Sequence, residues 1–175
     1  MSAPDAKGLR GTGGASDELD WNAVYADQLP RIYNYFRFRV GPGHDVEELT
    51  ARTFEKAWRK RAQYRRDLAG FSTWLFAIAR NVATDQLRSD ALRLRVATLP
   101  DPVEQPTPED KATLGSDMKR LRILTDALPE RHQELIALKY GAALNNRMIA
   151  RITGLSESNV GTTLQRIVAA LRSQW

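Results

Sequence analysis

Apolar residues recur along most of this chain at three- and four-residue steps, the spacing of one buried face of an α-helix. Trp21, Val24, Tyr25, Leu29, Ile32, Tyr33 and Phe36 make the first such run. Pro30 lies inside it, which predicts a kinked helix or two short ones. Gly41-Pro42-Gly43 then closes the element. Asp45 and Glu48 stand three residues apart, as in a capping box, and open a second helix. Leu49, Thr53, Phe54, Ala57 and Trp58 form its apolar side. Acids gather in its first turn and bases in its last, matching the helix dipole. The strongest run is Phe71 to Arg88, where Phe71, Trp74, Leu75, Ile78, Ala79 and Val82 make a stripe. Gly70 breaks what precedes it, and Ser72 reads as the N-cap.

The second half repeats the helical period with different punctuation. Leu121, Leu124 and Leu128 form a run that stops before Pro129. Leu135, Ile136, Leu138 and Tyr140 form the next, ended by Gly141. Met148, Ile149 and Ile152 then pack a short helix, and Val160, Leu164, Ile167, Val168 and Leu171 a longer one. Between them Gly154-Leu155-Ser156 makes a tight turn, with Ser156 as N-cap. A short helix, a glycine-containing turn with an apolar residue and a capped second helix have helix-turn-helix spacing. Helical hairpins without any DNA role can share it. The fold class is all-α.

Charge divides the chain. Between Arg31 and Arg95 stand fourteen Lys/Arg against seven Asp/Glu. From Ala97 to Asp117 the balance reverses, with Asp101, Glu104, Glu109, Asp110 and Asp117 against Lys111, and with Pro100, Pro102, Pro106 and Pro108. That stretch reads as an extended acidic linker, so the chain parses into two small helical domains joined by a tether. Residues 1–18 are rich in Gly, Ala and Ser without periodicity and read as a disordered tail. The net charge of +5 and a pI near 9.7 favour an anionic partner. No apolar run is long enough to span a bilayer, and the N-terminus lacks the apolar core of a signal peptide. With no cysteine there are no disulfides or thiolate metal sites. His44 and His132 stand apart without metal-ligand or triad spacing, so an enzyme has little to build on.

Two surfaces carry candidate chemistry. Arg80, Asn81, Thr84 and Arg88 lie away from the apolar stripe of their helix and present amide, hydroxyl and guanidinium groups suited to phosphates and base edges. A solvated helix face is the bland alternative. Residues 59 to 66 form a basic segment around Tyr64, leading into Phe71. A basic loop with an aromatic beside a polar helix is the make-up of a single-strand binding surface. Its alternative is a solvated loop whose tyrosine packs back on the core.

Taken in order, DVEELTARTFEKAW, FSTWLFAIARNVATDQLR, the linker, LPERHQELIALKY and IARITGLSESNV resemble a bacterial RNA polymerase sigma factor of the sigma-70 family, extracytoplasmic-function group. The resemblance covers roughly residues 21 to 173. It implies a tail over 1–18, sigma domain two over 19–92, a linker over 93–117 and sigma domain four over 118–175. Domain two would bind the clamp helices of core RNA polymerase through Asp45, Glu47, Glu48, Ala51 and Arg52. Around the promoter's minus-ten element it would use Tyr64, Arg65, Arg66, Phe71, Arg80, Asn81, Thr84 and Arg88. Asn81 and Thr84 would read the upstream edge, Arg80 and Arg88 would hold phosphates, and the loop from Arg61 to Phe71 would hold a flipped-out base. Domain four would contact the polymerase flap and set its recognition helix on the minus-thirty-five element. Arg147, Arg151, Glu157, Ser158, Asn159, Thr162 and Arg166 are its candidates. The linker would run through the polymerase near the active site and the RNA exit path.

The resemblance further implies no enzymatic activity, no cofactor or metal, no small-molecule substrate and no membrane insertion. It implies a cytoplasmic location and an anti-sigma factor as partner. Two departures stand out. The family usually has Gln or Arg followed by an acid where this chain has Ala51-Arg52, and commonly a Lys and an Arg where it has Gly161 and Thr163. The competing readings are a helix-turn-helix regulator that never touches polymerase, and a degenerate sigma paralogue that titrates an anti-sigma factor.

Overall fold

The computed structural model describes residues 20–41, 43–96 and 115–175, and all regular elements among them are helical. In the first half, α1 is Trp21–Arg39, α2 is Val46–Arg59 and α3 is Phe71–Val96. A single 3-10 turn, Arg61–Gln63, leads out of α2. In the second half, α4 is Ser116–Asp126 and α5 is Glu130–Ile136. A π-helical turn, Ala137–Gly141, continues α5, and α6 is Asn146–Thr153 and α7 is Glu157–Ser173. The expected tail lies outside the described residues, as does most of the expected linker. Arg93–Val96 and Ser116–Asp117, read as linker from the sequence, are helical.

Local chemistry explains most boundaries. Asp20 caps α1 by accepting from Asn22 N and Ala23 N, which satisfies donors that have no partner inside the helix. Asp45 caps α2 by accepting from Glu48 N at 2.8 Å. Three sequence expectations need correction. α1 is one helix across Pro30, so of the two alternatives the pair of short helices does not hold. The donor that Pro30 lacks would have served the Ala26 carbonyl, and both residues are on the exposed side, where water can take its place. Ser72 is not an N-cap: α3 already begins at Phe71, and Trp74 N donates to the Gly70 carbonyl. Tyr25, Trp58 and Tyr140, assigned to apolar stripes, are 47 %, 49 % and 53 % exposed.

The two halves share one core. Ile32, Tyr35 and Phe36 of α1 and Leu75, Phe76 and Ala79 of α3 belong to the same buried cluster as Leu135, Leu138, Ile149 and Val160 of the second half. The π turn packs along α1. A Cβ at Gly141 would stand 3.0 Å from the Asn34 carbonyl oxygen and 3.1 Å from Phe38 Cδ2, so glycine permits this approach of backbone to backbone. Arg122 of α4 donates to the Arg37 and Phe38 carbonyls, placing a cation on the open C-terminal end of α1. Arg31 donates to the Ala142 carbonyl at 3.1 Å.

Tyr35 is fully buried in this shared core, and its hydroxyl has no hydrogen-bond partner among the described residues. Burial pushes its phenol far above the ordinary value of 10.0, and the Glu134 carboxylate adds to the rise. An unfolded phenol ionises near pH 10 and the folded one later, so the folded state loses stability as pH climbs past 10. Tyr35→Phe should therefore flatten the fall of the urea midpoint above pH 10. At neutral pH it should leave stability unchanged or raise it by up to about 1 kcal/mol, because an unpaired buried hydroxyl is removed. A clear loss of stability at neutral pH would contradict this placement.

Candidate nucleic-acid and polymerase interface

The loop between α2 and α3 is built on aromatic rings. Tyr64 meets Phe71 edge-on at 5.5 Å and lies tilted at 5.2 Å from Trp74. Trp21 meets both Phe71 and Trp58 edge-on, at 5.5 and 5.3 Å. The Arg61 guanidinium stacks over Trp58 at 4.1 Å from the ring centre, a cation–π contact on a half-exposed ring. Tyr64 thus does pack back on the core, yet it stays only half covered, with the exposed Arg65 and Arg66 beside it. Arg65 binds Asp67 through two hydrogen bonds of 2.9 and 2.7 Å. That contact holds the Asp67 carboxyl below its usual range and raises Arg65.

Along α3, Trp74, Asn81 and Arg88 fall at seven-residue intervals, which sets them on one face about 10 Å apart. Asn81 and Arg88 are exposed. Trp74 of the ring cluster, the Asn81 amide and the Arg88 guanidinium therefore share one face of α3. Thr84 is half buried and spends its hydroxyl hydrogen on the Arg80 carbonyl at 2.9 Å.

Arg80 is not on this face. It precedes Asn81 by one residue, about 100° round the helix, and turns to the second half. Its Nε donates to Glu134 Oε1 at 2.6 Å and its Nη2 to Oε2 at 3.4 Å, with Nη1 at 3.5 Å from the Ile152 carbonyl. The hydrogen bond to Glu134 raises Arg80 further above its ordinary value. Glu134 is 7 % exposed. Beside it Arg39, 4 % exposed, pairs with Glu130 at 2.8 Å. These residues with Thr84, Arg131, Thr153 and Leu155 line a cavity of about 310 Å³ between the halves. Sequence reading missed Glu134. Its signal was its position four residues before Leu138 on an apolar stripe, where a charge needs a partner.

On α2, Asp45, Glu47 and Ala51 are exposed. Glu48 does not close the second half of the capping box on the sequence's pattern; its Oε1 accepts from Arg52 Nη2 at 2.6 Å. The unexpected cation is thereby laid along the helix against an acid four residues away.

In the second half, Asn145 caps α6 by accepting from Met148 N at 2.9 Å. Gly154 supplies the left-handed residue at its end, φ +76°, and Ser156 caps α7 by accepting from Asn159 N at 3.1 Å. Glu157, Ser158, Asn159, Thr162 and Arg166 of α7 are all exposed, as are Arg147 and Arg151 of α6. Arg147 lies 3.6 Å from Glu157. Thr163 donates to Asn159 Oδ1 at 3.0 Å, so it orients the amide that sequence reading had singled out. At Gly161 a Cβ would stand 3.3 Å from Asn146 Nδ2, a close contact that a shift of a few tenths of an ångström in that side chain would relieve.

Among the described residues, fold and surface define an all-helical protein whose second half ends in a helix-turn-helix, α6 and α7. Residues 24–93 match Sigma-70 region 2, and residues 119–171 match Sigma-70, region 4. The chain belongs to the sigma-70 family, and the relatives it is similar to are named as ECF sigma factors. It is 30 % identical over 151 residues to the ECF RNA polymerase sigma factor BldN of Streptomyces coelicolor, covering 85 % of this chain and 57 % of the relative. It is 28 % identical over 171 residues to the ECF RNA polymerase sigma factor SigE of Mycolicibacterium smegmatis, covering 93 % and 60 %. The chain thus spans little more than half the length of these relatives. In fold it is similar to the sigma factor RpoE from Bartonella quintana, solved with the anti-sigma factor NepR. The TM-score is 0.68 at 20 % identity, covering 88 % of this chain and 95 % of that one. No helix among the described residues is long and apolar enough to cross a membrane.

Proposed function

We propose that this chain is a sigma factor: it binds core RNA polymerase and directs initiation at particular promoters by recognising and opening their DNA. The observation that carries this is the occurrence of both sigma regions, in order, on one chain. In this reading the first half, residues 19–92, docks on the polymerase clamp helices through Asp45, Glu47 and Glu48. The Glu48–Arg52 pair offsets the cation that stands where the family has an acid. Asn81 reads the upstream edge of the minus-ten element and Arg88 holds a phosphate. The half-covered Tyr64, Phe71 and Trp74 rings offer stacking surface to an unpaired base. Capture of a flipped base opens DNA without nucleotide hydrolysis, since a fitted pocket offsets the few kcal/mol of unstacking.

The second half, residues 118–175, sets α7 in the major groove of the minus-thirty-five element. There Asn159, held by Thr163, can make the paired contacts that an amide makes with adenine. The acidic stretch over 93–117 would occupy the polymerase's basic nucleic-acid channel. Its work would be in the cytoplasm, with no catalysis of its own, and an anti-sigma factor is a fitting partner, as for the Bartonella relative. Gel filtration with core polymerase tests the docking. The chain should co-elute with core, and Glu47→Lys with Glu48→Lys should abolish co-elution by placing like charges on a basic surface. Unchanged co-elution of that variant would refute the assigned contact.

A further inference from the structure

Where the family commonly carries an arginine, the side chain most often found on guanine, α7 carries Thr163. We propose that Thr163 is a positioning residue for promoter readout: its hydroxyl holds the Asn159 amide so that α7 selects adenine at one position of the minus-thirty-five element. This rests on the proposed placement of α7 in the major groove, and it names both the base selected and the residue that sets the preference.

Three observations meet at Asn159. Its backbone N–H donates to Ser156 Oγ at 3.1 Å, and its side-chain Oδ1 accepts from Thr163 Oγ1 at 3.0 Å, so the residue is tied at both ends. It is exposed and third in α7, among the N-terminal residues with which a recognition helix touches base edges. The remaining observation is how threonine hydroxyls are used elsewhere in this protein. Thr50, Thr53, Thr84 and Thr153 each donate to the carbonyl four residues back, a bond open to any helical threonine. Thr163 has the Asn159 carbonyl at the same spacing and turns instead to the Asn159 side chain.

The hydrogen-bonding capacity that is left fits one base. An amide oxygen has two acceptor sites, and the amide nitrogen has two donors. Thr163 fills one acceptor site. The other can accept from adenine N6–H while Nδ2 donates to adenine N7. Guanine presents acceptors at both N7 and O6, so one of them would face the Asn159 oxygen with no hydrogen between. An exposed side chain without such a tie loses its rotational freedom on binding, which costs affinity. Here part of that ordering is already done in the free protein.

The test uses the full chain bound to core polymerase. The probe is a library of linear templates built on a promoter found by run-off transcription. Its minus-thirty-five element is randomised, and a barcode in the transcribed part reports which templates are used. The parent should favour adenine at one position, and Asn159→Ala should reduce that preference about 5- to 150-fold. Thr163→Val keeps the branched shape and removes the hydroxyl. It should cut the preference at that same position about two- to tenfold and leave the other positions alone. Thr163→Ser, which keeps a hydroxyl, should retain the preference. If Thr163→Val behaves as the parent, or loses output equally at every position, the hydroxyl does not position the amide and the proposal falls. It also falls if Asn159→Ala matches the parent, or if the position that depends on Asn159 favours another base; the sigma reading then stands, because the templates are still transcribed. No protein-dependent transcript, from genomic DNA or from the library, would refute the sigma reading and the proposal together. Circular dichroism should show the same helix content in every variant.

Discussion

With alanine at Asn81, transcripts from promoters served by the parent protein should fall about 5- to 150-fold, the range that 1–3 kcal/mol for one base contact implies. The loss should be selective. Asn81 is an exposed amide on the same face of α3 as Arg88, and an amide reads a particular base edge, so changing one base pair of the minus-ten element should remove most of the difference between parent and variant. Arg88→Ala provides the contrast. A guanidinium on a phosphate carries no sequence information, so its loss should weaken all promoters alike and reduce the salt dependence of binding. Thr84→Ala should do less than Asn81→Ala, because Thr84 is half buried and already bonded to the Arg80 carbonyl. The measurement is multi-round transcription over a panel of single-base promoter variants. Equal promoter choice by the parent and Asn81→Ala would remove Asn81 from the readout.

Leu138→Ala should destabilise the whole described structure by about 2–5 kcal/mol, as for other fully buried leucines. Its side chain is fully buried in the π turn and belongs to the same apolar cluster as Ile32, Tyr35 and Phe36 of α1. A domain's total stability is about 5–15 kcal/mol, so the loss is a large share. The informative part is where it is felt. If the halves form one cooperative unit, the near-ultraviolet signal of Trp21, Trp58 and Trp74, all in the first half and the sole tryptophans left in a Trp175→Phe background, should melt earlier in Leu138→Ala. An unmoved transition of those rings would mean that the first half folds without the second, and the shared core would then contribute nothing to its stability.

Much of the helical framework could be read from sequence because its determinants are local. The caps at Asp45 and Ser156, the left-handed Gly154 and the three-four spacing of the apolar stripes are all contained in a few residues. Where local cues conflicted, the reading slipped. Pro30 suggested a break that an exposed helix side tolerates, and Ser72 looked like a cap where Gly70 already ends the preceding turn. The exposure of Asn81 and Arg88 was likewise visible as helical spacing, whereas Tyr64 stood out only as an aromatic within a basic loop.

Arg80 was different. Its partner Glu134 lies 54 residues further along the chain, and a pairing of that length leaves no periodic trace. The close approach at Gly141 is equally non-local: the residue reads as a helix stop, and only the packed α1 backbone shows why nothing larger fits. Gly161 and Thr163 looked like lost contacts when each was set beside the family's usual residue. In the fold Thr163 holds Asn159, while Gly161 lies close to the Asn146 side chain.

Run-off transcription is the most direct test of the sigma role, using purified core polymerase and fragmented genomic DNA, with and without the protein. Discrete transcripts that depend on the protein are the expected result, and their upstream sequences would share two elements, one for α3 and one for α7. No new transcripts, together with no association of the protein with core polymerase, would contradict the account.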